Sequence, residues 1–515
     1  MSWTVKVDWE KDNNFTGDHD DITGDIWNKT TLDWNIGCQP FQSVADESSL
    51  TFEVNNRRRK YSQENTSSPI ADYLLPNRAI QVLYMGNPVY TGLTRVIQPA
   101  PLRYGRGTAK FECVSIKELL QNTPAYPNLY ENVRVDDVLR AYVPALAVPP
   151  ATSGLWLMGI TGFSEIGVST VVGTADLIAT LDVGKTVFRY IGDNVQQAGQ
   201  DNTLDSASIV NAYHFLSDLV AAERGLLFFG RDGKLTFFNR HRFLNDTVVD
   251  YTIDNTMADM IYSTPVEQLN NYIEVIYYPR AISATNEELL WEATASITVP
   301  PGSLKSITAQ YRDTSGNPVG ARDVQTTPDM IYSGGSLVAN VEAQAQRAII
   351  TLINSGSTDA VITSLQIKGQ TISIPYPTTV IAQDAASIAQ VNKRPLTISL
   401  KALDSETQAL NIAYFELSRR TSAQGRVTSV KLPPVLANGD TIPNLTYTVG
   451  DLIRIKDYQT GHDSLYHICG ESHSLDIGSK MLTTEWFVNP AALTKYWVMG
   501  VEDFSNIGVS TRVAF

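Results

Sequence analysis

Four residues in the last sixty of the chain belong to the types that bind metal ions: His462, His467, Cys469 and His473. The last three follow one another at intervals of two and four residues, so a predicted strand places them on one face. Imidazole and thiolate groups are zinc ligands, but protein zinc sites use turns with two to four residues between ligands. Only a sharply bent strand could wrap these side chains around an ion. The pattern therefore favours packing residues, with a metal site as the alternative.

An acidic segment follows the first predicted strand. Acidic and amide side chains recur there at every second position, as in a calcium-binding loop: Asp8, Glu10, Asp12 and Asn14. Asn13 stands where such a loop needs glycine, which asparagine can replace, and His19 stands where the loop needs a bidentate glutamate. The segment favours an acidic turn, and a bound cation is the alternative.

The common catalytic signatures do not occur in the sequence. It has no HExxH, CxxC or Gly-x-Ser-x-Gly motif and no phosphate-binding glycine loop. We therefore expect no enzyme, no catalytic, cofactor-binding or metal residues, and no cofactor.

Composition indicates several packed domains. A chain of 515 residues with 43% hydrophobic and 18% charged residues should form roughly three to five domains. The net charge of −14 argues against stable binding to nucleic acid or to an anionic membrane, and is compatible with a channel that DNA crosses without sticking. Three distant cysteines, Cys38, Cys113 and Cys469, argue against a disulfide framework. The sequence shows no secretory signal and no run of 18 apolar residues, so we expect no membrane insertion.

Strand patterns dominate the sequence, and helices interrupt them. Two short helices are predicted in 113–122 and 133–146, and two longer ones follow. We predict one helix with Asp205 as its N-cap and Gly225 just past its end, followed by a hairpin with a type I′ turn at Asp232-Gly233. The second helix should begin after Asp404 as its N-cap. Its predicted buried stripe and basic last turn comprise Leu410, Ala413, Tyr414 and Leu417, then Arg419 and Arg420.

Residues 283–375 have a different composition. Serine, threonine, alanine and asparagine rise there, and short strand patterns alternate with Gly/Asn turns, which predicts an inserted β-sandwich. The segment lacks an aromatic platform for sugars, which favours a structural role over carbohydrate binding.

One segment occurs twice, at 156–170 and 497–511, with ten identical positions out of fifteen. Glycines and β-branched residues predict a strand–turn–strand shape for each copy. We expect both copies to dock on related surfaces of an assembly, and a duplicated hairpin that serves only stability is the alternative. The apolar residues predicted to make assembly contacts are Trp156, Met158, Phe163, Ile166, Trp497, Met499, Phe504 and Ile507.

Residues 61–92 carry a pattern that resembles a known family. The matching residues are Tyr61, Ser62, Asn65, Ser67, Ser68, Pro69, Leu74, Leu75, Pro76, Arg78 and Gly92. The pattern is similar to the N-terminal domain of tail hub proteins of long-tailed phages and prophages, which are related to the contractile-phage baseplate hub. The helix and hairpin around Asp232-Gly233 resemble the central domain of that family, and the turn at Gly450-Asp451 resembles its second tube-like domain.

The resemblance implies a mainly β fold with a few helices. Its two tube-like β-barrel domains would flank a central α+β domain. The resemblance covers about 1–135, 200–285 and 375–490 and leaves out the insertion and the repeats. With the composition and the repeats added, the predicted ranges are 1–125 for the first tube-like domain, 126–282 for the central domain with the first repeat copy, 283–375 for the insertion, 376–490 for the second tube-like domain and 491–515 for a tail with the second copy.

The resemblance also implies a function. Such hubs are homotrimers whose paired tube-like domains form a pseudo-sixfold ring between the hexameric tail tube and the tip. The implied partners are the tail tube or distal tail protein, the tape measure protein and tip or fibre proteins, with DNA only in transit. The implied location is the distal tail of the virion, assembled in the host cytoplasm. Two alternatives stay open: a tip-bound carbohydrate-binding adhesin or cell-wall hydrolase, and the hub of a phage-like cellular injection particle.

Overall fold

A computed structural model gives the fold. It describes residues 3–11, 15–40, 42, 44–45, 48–101, 107–145, 178–192, 211–245, 248–263, 269–373, 376–421 and 426–491. Within these ranges the chain is mainly β with a few helices and several separate sheets, as the sequence predicts. None of the helices described is both long enough and apolar enough to cross a membrane.

Strands before the insertion are β1 Trp3–Asp8, β2 Thr31–Gly37, β3 Ser49–Asn55, β4 Ala79–Tyr84, β5 Asn87–Pro99, β6 Thr108–Val114, β7 Tyr130–Val133, β8 Ile178–Leu181, β9 Phe188–Ile191, β10 Leu226–Phe229, β11 Leu235–Phe238, β12 Tyr251–Asp254, β13 Asp259–Ser263 and β14 Tyr272–Tyr277. Those of the insertion are β15 Ala281–Ile282, β16 Glu288–Glu292, β17 Ile297–Val299, β18 Leu304–Gln310, β19 Gly320–Arg322, β20 Asp329–Ser333, β21 Leu337–Ala343, β22 Arg347–Asn354 and β23 Ala360–Ser373. The last strands are β24 Thr378–Gln383, β25 Pro395–Leu400, β26 Arg426–Leu436, β27 Leu452–Asp457, β28 His462–Asp476 and β29 Met481–Pro490. The α-helices are α1 Lys117–Gln121, α2 Val135–Ala145, α3 Ala212–Glu223, α4 Arg240–Asn245, α5 Ala385–Val391, α6 Glu406–Arg420 and α7 Pro443–Thr446.

A twelve-stranded sheet joins the two ends of the described chain. Its main path runs β1-β4-β5-β6-β3-β2-β28-β29-β26-β13, and β27 links β12 to β28. The long strand β28 is the branch point, since its first residues pair with β27 and its last residues pair with β2. Two separate apolar cores lie in this sheet system. One is built mainly from β1 to β6, and the other from β12, β26, β27, β28 and β29.

A third core lies in the central part of the chain. Helices α1, α2 and α3 pack there with β10 and β11, and with the small sheet β24-β14-β25 and helix α6. Residues of 376–420 therefore share a core with the central region, although strands β12 and β13 of the central region join the C-terminal strands. The linear domain ranges stay a prediction.

The inserted segment forms two facing sheets. Strands β15, β16, β17, β19 and β20 all pair with β23, and β18-β22-β21 make the second sheet. A fourth apolar core, with Tyr311, Ile350 and Ile367 fully buried, fills the space between them.

The structure differs from the sequence-based predictions at three places: the ends of helix α3, the turn at Asp232-Gly233 and helix α6. Helix α3 begins after Asn211, whose side chain accepts a hydrogen bond from the His214 amide, and the predicted cap Asp205 lies outside the described residues. The left-handed residue at its end is Arg224, not Gly225. Gly225 is instead required by packing, because a Cβ there would lie 2.4 Å from the Phe238 carbonyl oxygen.

The predicted type I′ turn at Asp232-Gly233 is wrong. Only Gly233 has a positive φ, and the hydrogen bonds join the Gly233 amide to the Gly230 carbonyl and the Gly230 amide to the Lys234 carbonyl. This is a type I turn followed by a left-handed glycine, a three-residue loop that places Arg231 at its first position.

The predicted start of helix α6 is wrong, and its predicted buried face is confirmed only for Ala413 and Leu417. Ser405, not Asp404, is the N-cap, and its hydroxyl accepts from the Gln408 amide. Leu410 and Tyr414 are exposed, and the buried face comprises Ala409, Ile412, Ala413, Phe415, Glu416 and Leu417. Because the charged residue Glu416 is buried on this face, the spacing of apolar residues alone does not identify the buried side of the helix.

Candidate functional site: the junction of the two terminal β regions

The junction between the N-terminal and C-terminal β regions is formed by β2 and β28. Seven antiparallel pairs run from Thr31 opposite Asp476 to Gly37 opposite Gly470. The Cys38 amide extends this ladder by donating to the Cys469 carbonyl at 2.8 Å. The junction thus closes a single sheet across more than 430 residues of sequence.

The central pair of side chains on one face of the junction is aromatic. The Trp34 ring stacks on His473 with ring centroids 4.9 Å apart and meets Trp3 edge-on at 5.9 Å. On the other face, the Ser474 hydroxyl donates to the Asp33 carboxylate at 2.5 Å. Backbone, aromatic and polar contacts therefore all join β2 to β28.

Glycine permits the close approach of the two strands. A Cβ at Gly37 would lie 2.5 Å from the Cys469 carbonyl oxygen, and a Cβ at Gly470 would lie 2.4 Å from the Cys38 carbonyl oxygen. Real Cβ atoms do not approach a backbone oxygen so closely, so side chains at either position would force the strands apart.

The central hairpin inserts an arginine beneath this junction. Arg231, from the turn between β10 and β11, makes two bonds to the Glu471 carboxylate, at 2.7 Å from Nε and 2.5 Å from Nη2. It also donates to the Tyr447 carbonyl at 2.9 Å and to the Leu445 carbonyl. One guanidinium therefore links the central hairpin, the C-terminal β region and the junction strand.

The charge of Glu471 depends on this arginine. Its carboxylate is completely buried, which by itself raises the pKa, but the charge and hydrogen bonds of Arg231, with His473 nearby, outweigh burial and lower the pKa to about 2. Glu471 is thus ionised in the interior, where an unpaired carboxylate is strongly disfavoured.

A second buried carboxylate links α3 to α6. Burial opposes ionisation of Glu416, but Arg224, Arg420 and Arg419 outweigh it and lower its pKa to about 2. Arg224 donates to one carboxylate oxygen, and the Arg420 Nε donates to the other at 2.8 Å. Glu223, which precedes Arg224, accepts hydrogen bonds from the Lys185 and Thr186 amides at 2.9 and 2.6 Å. Two neighbouring residues at the end of α3 therefore make buried polar contacts with different parts of the chain. Glu223 binds the backbone at 185–186, and Arg224 binds Glu416 of α6.

The structure places the histidines and cysteine of the predicted soft-ligand set in packing positions. His467 is buried against Phe243 with ring centroids 5.2 Å apart, and burial lowers its pKa to about 4. His473 stacks on Trp34, and Cys469 is buried beside Cys38. His462 bonds to the Tyr466 hydroxyl at 3.0 Å. Throughout the described ranges, no group of three such residues is arranged to hold a metal ion.

The acidic segment after β1 is described only in part. Asp8 and Asp20 are buried, and Asp20 accepts from the Gly17 amide at 2.7 Å and from the Trp9 amide at 3.5 Å. Glu10 is exposed, whereas Asp12 and Asn14 lie outside the described residues. The acids described here thus shape the turn itself.

Residues of the 61–92 pattern anchor one long loop to the first β core. Tyr61 is buried and donates to Asp25 at 2.6 Å, Ser68 donates to the Lys60 carbonyl at 2.6 Å, and Arg78 donates to the Tyr73 carbonyl at 2.9 Å. An open cavity of about 550 Å³ lies beside this loop. Members of the pattern that line it are Tyr61, Ser62, Leu74, Leu75 and Pro76.

The eight apolar repeat residues predicted to make assembly contacts lie outside the described residues: Trp156, Met158, Phe163, Ile166, Trp497, Met499, Phe504 and Ile507. What sequence reasoning missed is the buried ion pair of Arg231 and Glu471. The only local signal was an arginine in a hairpin turn and a glutamate in a predicted strand.

Comparisons with solved structures give similarities to phage tail proteins, whereas no protein-family model and no curated protein matches the chain. The 43 kDa tail protein of prophage MuSo2 from Shewanella oneidensis aligns over 96% of this chain and 100% of its own, with 11% identity and a TM-score of 0.45. A tail protein from Neisseria meningitidis MC58 aligns over 95% and 97%, with 8% identity and a TM-score of 0.47. Prophage tail protein gp18 from Listeria monocytogenes EGD-e aligns over 95% and 94%, with 8% identity and a TM-score of 0.41.

Proposed function

We propose that this chain is a structural protein of a phage tail. In the finer form of the proposal, it is a non-enzymatic homotrimeric hub at the distal end, between the tail tube and the tip. DNA would cross its bore without stable binding. Neighbours would be the tail tube or distal tail protein, the tape measure protein and tip or fibre proteins.

The observation that carries the proposal is the pairing of β2 with β28. It places two β regions from opposite ends of the chain side by side in one sheet, each with its own apolar core. A protein that adapts a sixfold tube to a threefold tip needs two adjacent wall segments from each subunit. The buried ion pair of Arg231 and Glu471 supports this role, because it fixes the C-terminal segment to the central region at strand β28 of the junction.

The mass of the purified protein in solution tests the trimer. The chain has a mass of 56.7 kDa, so light scattering after size exclusion should give three times that value. A chain that stays monomeric at micromolar concentration, and that does not join tail tubes, would contradict the proposal.

We also propose that the two repeat copies contact neighbouring subunits or tail proteins. Each copy is too short to bury its own apolar face, which motivates the proposal. Deletion of residues 494–515 should then reduce the yield of assembled tails while leaving the unfolding transition of the purified chain unchanged. If the deletion variant assembled normal tails, the repeat would not be needed for assembly, and a purely stabilising role would be favoured.

A further inference from the structure

A second, shorter repeat lies within the described residues. The pentapeptide Asp-Met-Ile-Tyr-Ser forms strand β13 at Asp259–Ser263 and strand β20 at Asp329–Ser333. The first copy belongs to the C-terminal sheet and the second to the inserted sandwich, so the two sit in different cores.

Both copies adopt the same local structure. Each is antiparallel to one neighbour, and in each the register shifts between the isoleucine and the tyrosine. Met260 and Met330 pack towards their cores, whereas the next two side chains face solvent. Ile261 and Tyr262 are 53% and 38% exposed, and Ile331 and Tyr332 are 67% and 40% exposed. Two different sheets thus expose the same two side chains, although Tyr262 also packs on the His462 ring with centroids 5.2 Å apart.

Both copies also lie at sheet edges, as far as the described strands extend. Among the described strands, β13 pairs only with β26 and β20 pairs only with β23. Each leading aspartate has a lysine on the adjacent strand: Asp259 lies opposite Lys431, and Asp329 lies 2.7 Å from Lys368. An open edge with exposed apolar side chains is a site where another strand can add.

We infer that strand β13 of one copy of this chain pairs in antiparallel fashion with strand β20 of the next copy. The inference rests on the homotrimer of the proposed function and names the surfaces that join its subunits. The contact would be head-to-tail, because it uses a different surface on each subunit. Head-to-tail contacts are the type that closes a threefold ring.

The sequence of the pentapeptide favours a second copy as the occupant. In antiparallel alignment Ile261 lies opposite Ile331, and each aspartate lies opposite the serine of the other strand. In parallel alignment Asp259 would lie opposite Asp329, and like charges directly opposite one another are destabilising. The segment is therefore complementary to itself in one orientation only.

Cysteine cross-linking of the full chain tests this contact. The native cysteines are all buried, so the double variant Ile261→Cys and Ile331→Cys adds two exposed thiols to an otherwise unreactive surface. Mild oxidation should convert most chains to covalent dimers and closed trimers on a non-reducing gel. Each single variant should stay monomeric on the same gel.

A matched control replaces Ile331→Cys by Leu304→Cys, in the other sheet of the sandwich and 62% exposed. This pair should not cross-link. A trimeric mass without a disulfide between positions 261 and 331, or a disulfide formed only within one chain, would overturn the inference while leaving the proposed function intact. The register shifts in β13 and β20 would then serve to protect the edges. Cross-linking of a single variant would indicate like strands in contact and would also overturn it. A monomeric mass without cross-links would overturn both proposals.

Discussion

Replacement of Arg231 by methionine is expected to destabilise the fold by about 3–5 kcal/mol. The variant leaves the Glu471 carboxylate buried without its cation and removes two bonds to backbone carbonyls. Urea unfolding followed by tryptophan fluorescence at neutral pH measures the loss.

The control for this variant is Arg454→Met. Arg454 also makes two bonds to a carboxylate, at 2.7 and 2.9 Å from Asp463, but both side chains are nearly half exposed. Exposed pairs contribute little to stability because solvent screens them, so this variant should unfold almost as the parent does. Equal effects of the two variants would contradict the role assigned to the buried pair.

Acid should affect the parent and the Arg231→Met variant in opposite directions. In the parent, the folded-state pKa of Glu471 is about 2 against an ordinary 4.5, so its stabilisation is present above pH 4.5 and is lost as the pH falls towards 2. Without Arg231, burial should raise the pKa of this carboxyl above its ordinary value. The free energy of unfolding of Arg231→Met should then fall furthest below that of Arg454→Met at neutral pH. The difference should shrink as the pH falls to about 4.5, because the buried carboxyl becomes protonated.

Replacement of Trp34 by alanine is expected to cost about 3–5 kcal/mol and to open the junction between the terminal β regions. Its side chain is only 2% exposed and fills the space between Trp3 and His473. Hydrogen exchange of the amides in β2 and β28 should rise strongly in this variant, because the aromatic contact across the two strands is lost.

Trp291→Ala serves as the comparison. Trp291 packs against the separate core of the inserted sandwich, so its loss should raise exchange in β16 and β23 and leave β2 and β28 protected. Unchanged exchange of β2 and β28 in Trp34→Ala would show that the junction does not depend on this side chain.

Much of the architecture follows from local sequence. Alternating patterns identify strands such as β1 and β3, whose burial alternates along the chain, and the composition of 283–375 indicates the inserted sandwich. These features are visible because a strand with one buried face repeats every two residues.

Long-range contacts explain what local patterns missed. Glu416 occupies a buried position of α6 only because Arg224 and Arg420 neutralise it, so apolar periodicity misplaces the buried face. Glu471 and Arg231 are 240 positions apart, and neither has a local feature that identifies its partner. The type of the hairpin turn was predicted wrongly because the dipeptide Asp-Gly occurs in both two-residue and three-residue loops.

In the proposed assembly, each chain supplies two adjacent wall segments of a ring. Single-particle images of the purified full chain test it most directly. We predict end-on averages with threefold symmetry and six similar lobes around a central opening, paired through the β2–β28 junction. Averages that show a single elongated monomer, or a closed ring with three lobes and no pairing, would contradict it.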